Sequence, residues 1–352
     1  MPDVAGEFVT FRVADPQRRL TGVALVQEIA RPRVGPSFVR LGNGPDWLAT
    51  VAARDLDRIE YLFELHCADG RTETVLDPDN PLHADGPFGR KSVAELPSYR
   101  APAWLEATNV PQGMVMEVRL ASRVLQRDLT TVLWTSAGHD FEDELPLLAV
   151  HDGVDYAVYS RLLAFLDWAV AEGRIPACHA ALLVPSRRND DYSASRPYAR
   201  ALVEEVMPQL TAHARTPARP QARVAMGTSL GGLAMLHAHR LHPGVFGALF
   251  LQSSALFFAG PDAHEAGRPH FRQIVRFVHG VLDAPDDGAP VPAVFTCGTF
   301  EENLHGNRAV AVALSGASYP VRLVEGRDTH NWTAWRDTFD PHLLRLLTEM
   351  WS

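Results

Sequence analysis

The sequence predicts an α/β protein: a mostly parallel sheet with helices on both faces, preceded by a smaller N-terminal β-sandwich. Three observations carry this expectation. Before about residue 110, short strand-like runs are separated by Asp, Gly and Pro clusters, and no long amphipathic helix interrupts them. After about residue 112, near-continuous apolar runs alternate with helical spacing, the pattern of a sheet buried on both faces. Hydrophobic residues make up 46% of the 352, enough to fill the cores of two domains.

The first domain is expected over residues 1–110, as an immunoglobulin-like sandwich. Its strands read as FVTFRV (8–13), GVALVQEI (22–29) and IEYLFELH (59–66), and DPDNP (Asp77 to Pro81) and DGPFG (Asp85 to Gly89) are turns or loops. ELPSYRAPAW (Glu95 to Trp104) is a linker or last strand. The second domain, 111–352, opens with a hairpin of MVMEVRLAS and TTVLWTS. LPLLAV (Leu145 to Val150) follows as a buried strand. Val158, Leu162, Phe165, Leu166 and Ala169 then fall at helical spacing, with Gly173 in a C-cap place. CHAALLV (Cys178 to Val184) is a strand, and residues 198–210 a helix with Pro208 near its end. ARVAM, GALFLQ, PAVFT and PVRLV complete the series.

Charge and cysteines narrow the function. A net charge of −9 argues against nucleic-acid or anionic-membrane partners. Cys67, Cys178 and Cys297 show no CxxC spacing, so neither a disulfide framework nor a metal site is expected. The first residues carry no basic and apolar leader, and no apolar run reaches the roughly 18 residues of a bilayer span. A cytoplasmic protein is expected.

Gly227-Thr228-Ser229-Leu230-Gly231 fits GxSxG. The motif alone is weak, but ARVAM runs into it and a helical segment from Gly232 runs out. That strand–turn–helix context is the nucleophile elbow of the α/β-hydrolase fold, with Ser229 as nucleophile and the Leu230 N–H as one oxyanion donor. Serine, acid and histidine follow in that order in this fold, so the base is sought late. His330, in the loop after PVRLV and before a helix expected to start near Trp332 and run through Trp335 and Phe339, fits, whereas His342 lies in the final helical pattern. The acid is expected after PAVFT. Glu301 is the first choice, with Glu302 and Asp328 as alternatives. The second oxyanion donor is expected from the loop after LPLLAV, at Gly153 or Val154, with His151 and Asp152 as structural neighbours. Arg187 and Arg188 follow CHAALLV at the ligand-binding edge of the sheet. They suit an anionic substrate, or else surface pairs with Asp190 and Asp191. Trp332 flanks the base as a pocket candidate, and Trp335 reads as core.

LPLLAVHDG, AEGRIPACHAALLV, SRRNDDYSAS, ARALVEEVMPQL, GTSLGG, CGTFEENLHGNR and GRDTHNWTAWRD, in that order, resemble the enterochelin (ferric enterobactin) esterases, in the esterase-D/antigen-85 branch of α/β-hydrolases. YLFELHCADGR and VLDPDNPL resemble the sandwich that precedes the hydrolase in those proteins. The resemblance implies a cytoplasmic serine esterase cleaving a catecholate siderophore to release iron. It implies Ser229 and His330 as catalytic residues, Glu301 as the acid, and Arg187 or Arg188 as a substrate contact. Members often carry glycine-histidine-aspartate at the base, and here the run is Thr329-His330-Asn331. The chemistry requires no cofactor and no protein-bound metal, since iron would arrive with the substrate. Acyl transfer, other aryl or sugar esters, and a non-catalytic ligand-binding protein are the rival expectations. The oligomeric state and the role of the first domain stay open, as does any reach of the loop Asp85 to Ser92 towards the pocket.

Overall fold

The computed structural model describes residues 1–30, 35–42 and 44–352. The chain forms two compact units. One comprises Met1–Ala101 with two later segments, Gly298–Glu302 and Gly326–Ala334, and the other comprises Pro102–Cys297, Asn303–Glu325 and Trp335–Ser352.

The first unit is built from β1 (Asp3–Ala5), β2 (Phe8–Ala14), β3 (Leu20–Gln27), β4 (Val39–Arg40), β5 (Asp46–Ala52), β6 (Arg58–Cys67), β7 (Thr72–Val75), β8 (His83–Ala84) and β9 (Lys91–Glu95). They form two sheets, in the orders β1-β2-β5-β4 and β3-β6-β9-β8, with β7 also on β6. Strict alternation in β2 turns Val9, Phe11 and Val13 inward. Phe11 meets Tyr61 of the other sheet edge-on, with ring centroids 4.7 Å apart. Such a pair adds roughly 1 kcal/mol to the burial of its rings. Ile59, Tyr61 and Phe63 make β6 the spine of this core. Phe300, from a returning segment, packs against the same core.

The second unit holds β10 (Met114–Ser122), β11 (Arg127–Thr135), β12 (Leu147–His151), β13 (His179–Leu183), β14 (Arg223–Thr228), β15 (Ala248–Gln252), β16 (Ala293–Gly298) and β17 (Val321–Gly326). Their order is β10-β11-β13-β12-β14-β15-β16-β17. β11 runs antiparallel to both neighbours, while β13, β12, β14, β15 and β16 run parallel. This is an α/β-hydrolase sheet. β12, β13, β15 and β16 are buried at every residue, as strands covered on both faces must be. The covering helices are α1 (Gly153–Tyr159), α2 (Leu162–Ala171), α3 (Arg188–Tyr192), α4 (Arg196–Ala201), α5 (Met207–His213), α6 (Leu230–Leu241), α7 (Phe271–Asp283), α8 (Leu304–Gly316), α9 (Trp332–Asp337) and α10 (Leu344–Trp351). Leu147, Ala149, Leu233, Leu249 and Phe295 lie in one continuous core. Among the described residues, no helix is long and apolar enough to cross a membrane.

Three segments depart from the sequence expectation. The helix expected over Val158 to Ala169 is two, because Arg161 turns left-handed (φ 54°) between α1 and α2. The helix expected over 198–210 contains a π-helical stretch, Leu202–Val206, and Pro208 falls at the start of α5 rather than near an end. A proline without an N–H is tolerated in that first turn. The helix expected from Trp332 through Phe339 stops at Asp337. Pro341 drives Asp340 into extended backbone (φ −107°, ψ 119°), which breaks the run.

Candidate active site

β14 feeds directly into Ser229, and α6 begins at the next residue. Ser229 sits at φ 51°, ψ −122°, a left-handed conformation that costs a side-chain-bearing residue roughly 1–3 kcal/mol. Its surroundings hold it there. Its N–H donates to the Gln252 carbonyl (2.9 Å), and its own carbonyl accepts the N–H groups of Leu233 (3.1 Å) and Ala255 (3.0 Å). The turn is tight enough that a Cβ on Gly227 would lie 2.5 Å from the Gly231 carbonyl carbon. Leu230 is the first helical residue, so its N–H has no acceptor within the helix and forms part of the positive end of the α6 dipole.

Two loops at the carboxyl ends of β16 and β17 carry the next pair. His330 Nδ1 lies 2.7 Å from Glu301 Oε2. The other oxygen, Oε1, accepts the Gly298 N–H at 2.7 Å, which fixes the carboxylate from both sides. Glu301 is 1% exposed. Burial disfavours a charged imidazole, but the Glu301 carboxylate outweighs it and raises the His330 pKa above the usual value. The loops are tied together, since Thr299 donates to the Gly326 carbonyl (2.8 Å) and Phe300 to that of Asp328 (3.4 Å). Of the alternatives for the acid, Glu302 is half-buried, and Asp328 is engaged elsewhere. Asp328 Oδ1 accepts the Thr329 N–H (2.7 Å) and the Asn331 side-chain amide (2.8 Å), and its Oδ2 faces Arg58 at 3.8 Å. Burial pushes the Asp328 carboxyl up to about 7, against the pull of Arg58.

The loop after β12 is equally constrained. Asp152 is left-handed (φ 52°) and α1 starts at Gly153. A Cβ on Gly153 would stand 2.4 Å from the Leu182 Cα, so only glycine lets this loop lie on β13. His151 is buried between the Gly231 carbonyl, 3.0 Å from Nδ1, and the Tyr198 hydroxyl, 2.9 Å from Nε2. Burial lowers its pKa to about 4, so the ring is neutral, with Nδ1 donating to the carbonyl. It thereby ties the loop to the elbow helix.

The arginine pair divides. Arg188 forks onto Asp152, with Nε to Oδ1 at 2.9 Å and Nη2 to Oδ2 at 2.7 Å. The pairs expected with Asp190 and Asp191 do not form: Asp190 meets His270 at 2.8 Å, and Asp191 takes Arg127. Arg187 is exposed at the start of α3. Trp332 is half-buried, and the loop after Asp85 backs onto it, with a Cβ on Gly86 falling 3.8 Å from Trp332 Cδ1. Trp335 is core, its Nε1–H donating to the Ser253 hydroxyl at 2.9 Å. His342 lies within the turn Phe339–Leu343. Cys67 is half-buried, and Cys178 and Cys297 are buried. Sequence reasoning missed Arg58, since a lone arginine opening a sandwich strand carries no motif.

The family described as "Putative esterase" matches residues 122–346. The iron(III) enterobactin esterase of Escherichia coli O6:H1 is 24% identical over 200 residues, 55% of this chain and 50% of that protein. The match thus spans about half the length of that curated relative. Among solved structures, the enterobactin esterase Fes of Shigella flexneri, crystallised in the presence of enterobactin, superposes with a TM-score of 0.76 at 20% identity, covering 100% of this chain and 95% of that one. The ferric enterobactin esterase of Salmonella typhimurium gives 0.78 at 19% identity, over 99% of this chain and 96% of that one. A ferulic acid esterase gives 0.57 at 18% identity, over 68% of this chain and 99% of that one. These structural likenesses bear on the fold.

Proposed function

The chain belongs to this esterase family, and from that premise we propose that it hydrolyses carboxylic esters through an acyl-enzyme on Ser229. The observation that carries the reading is the strained backbone of Ser229 between a buried strand and a helix N-terminus. Such strain persists where a nucleophile must be presented. Ser229 Oγ attacks the ester carbonyl carbon while His330 Nε2 takes its proton. The Glu301 carboxylate, on the Nδ1 side of the ring, holds the tautomer this requires and stabilises the imidazolium that results. The N–H groups of Leu230 and Gly153 hold the oxyanion. His330 then protonates the leaving alcohol. A water activated by the same ring frees the acid and restores Ser229.

The substrate we propose is a catecholate siderophore ester of the enterobactin kind, cleaved in the cytoplasm with iron as its cargo. The names of the relatives support this, as does Arg187, an exposed guanidinium suited to an anionic catecholate. Trp332 offers an aromatic face two residues beyond the base. The reading of Arg188 as a substrate grip gives way to one in which it orients the oxyanion loop through Asp152.

The test is hydrolysis of ferric and iron-free enterobactin beside a simple aryl ester, by the protein and by Ser229→Ala. Siderophore cleavage that Ser229→Ala abolishes is the expected result. Cleavage of the aryl ester alone would remove the siderophore and keep the triad, and no Ser229-dependent cleavage would remove both.

A further inference from the structure

Both loops that carry the acid and the base return to the compact unit of residues 1–101, where residues flanking its strands hold them by backbone. Ala30 donates to the Phe300 carbonyl at 2.9 Å, next to Glu301. Asp57 donates to the Arg327 carbonyl at 2.7 Å, and its carboxylate meets the Arg327 guanidinium at 3.3 Å. One side-chain contact also reaches the loop of the base. Arg58, 3% exposed, opens β6 and places Nη1 3.8 Å from Asp328 Oδ2. The other oxygen of that carboxylate accepts from Thr329 and from Asn331, the two chain neighbours of His330. Asn331 Oδ1 in turn accepts the Ala334 N–H at 2.8 Å, which continues the turn into α9.

We propose that Arg58 is a positioning residue for the base: acting through Asp328, it fixes the turn that presents His330. The inference rests on the reading of His330 as the general base and goes beyond it, because it gives the sandwich a part in catalysis. An uncompensated buried carboxylate is driven to take up a proton, and a neutral Asp328 no longer answers Arg58. The other charges around the pair do not replace the link. Glu60 lies 3.4 Å from Arg58 on the same strand, Glu95 lies 3.9 Å away on β9, and Lys91 is 3.9 Å from Glu60 and paired to Glu28. These acids compete for Arg58 and add negative charge, so Asp328 depends on Arg58 for its ionised form. The high Asp328 pKa agrees with this. The turn is therefore fully fixed only when Asp328 is ionised, the base can accept a proton only when His330 is neutral, and both conditions are lost as pH falls.

The experiment is a double-mutant cycle on the full chain with an aryl ester, using Arg58→Met, Asp328→Asn and the pair, with pH profiles of kcat. Asp328→Asn can keep the Oδ1 acceptor and replaces the charged oxygen facing Arg58 with an amide NH2, which cannot accept from the guanidinium. Each single change is expected to lower kcat about 10- to 100-fold with KM nearly constant, the signature of a displaced catalytic group. The double variant should be no slower than the slower single one. The acid limb, steeper than one protonation in the wild type, should relax to a single protonation in Asp328→Asn. Multiplying effects, or an Asp328→Asn enzyme with the wild-type rate and limb, would overturn the inference. Thermal melts separate lost fold from lost positioning. If Arg58→Met does not fold, Asp328→Asn alone decides by rate and limb, and Arg58→Lys should recover part of the rate. A wild type without Ser229-dependent cleavage would sink the triad reading and this inference with it. An active wild type with unmoved variants would sink the inference alone.

Discussion

Arg188 grips Asp152 with two contacts, 2.9 and 2.7 Å, and Asp152 is the residue that precedes the candidate oxyanion donor Gly153. The fork is bidentate, and lysine cannot reproduce it. Arg188→Lys is therefore expected to lower kcat by about 10-fold and Arg188→Met by about 100-fold, the scale of losing one oxyanion contact. Steady-state kinetics checks this. A raised KM at constant kcat would return Arg188 to substrate binding.

Glu301→Gln preserves the shape of the acid and removes its charge. The Glu301 carboxylate raises the His330 pKa, while burial lowers it. With that charge gone, burial is opposed only by the weaker pull of Glu28 and Glu302, and the pKa falls. The acid limb of kcat should move to lower pH, and the plateau should drop by about 10³- to 10⁴-fold from loss of the imidazolium partner. A pH–rate profile of the variant reads both. An unmoved limb would point to a different base.

The left-handed backbone of Ser229 predicts a trade between stability and activity. Ser229→Gly and Ser229→Ala should both be inactive. Glycine accepts φ 51° without strain and alanine does not, so the glycine variant is expected to be the more stable by up to about 1 kcal/mol. Denaturant unfolding of the two side by side measures it, and equal midpoints would mean the turn is unstrained.

Asp328 has its own pH signature. Its carboxyl is raised by burial from 3.8 to about 7. A raised folded-state pKa means the contribution to stability is complete below the unfolded pKa and is lost as pH rises through the folded one. Wild-type stability should therefore decline from this source between pH 3.8 and about 7. Asp328→Asn should flatten that decline, as Tm against pH would reveal, and parallel curves for the two proteins would contradict it.

The strands were legible because buried parallel strands read as unbroken apolar runs, as in LPLLAV and GALFLQ. GTSLGG declared the elbow because close packing forces its glycines. The partnership of His330 with Glu301 followed from strand order. Arg188 was harder. Asp190, two residues on, cannot face it across a helix turn, and Asp191, three on, is held by Arg127 from β11. Its true partner lies across the sheet edge, where spacing carries no information. The break at Arg161 and the π-helical stretch after Ala201 leave no trace in apolar periodicity, because the buried residues stay nearly in phase across both.

Compactness and chain order part company in this protein. Residues 298–302 and 326–334 leave from strands of the large sheet yet belong with the first 101 residues. The break between Ala101 and Pro102 looks like a natural joint, but recombination there would strip two short segments of their support. Exchanging the first 101 residues for an unrelated sandwich would therefore also change the footing of the segments that carry Glu301 and His330.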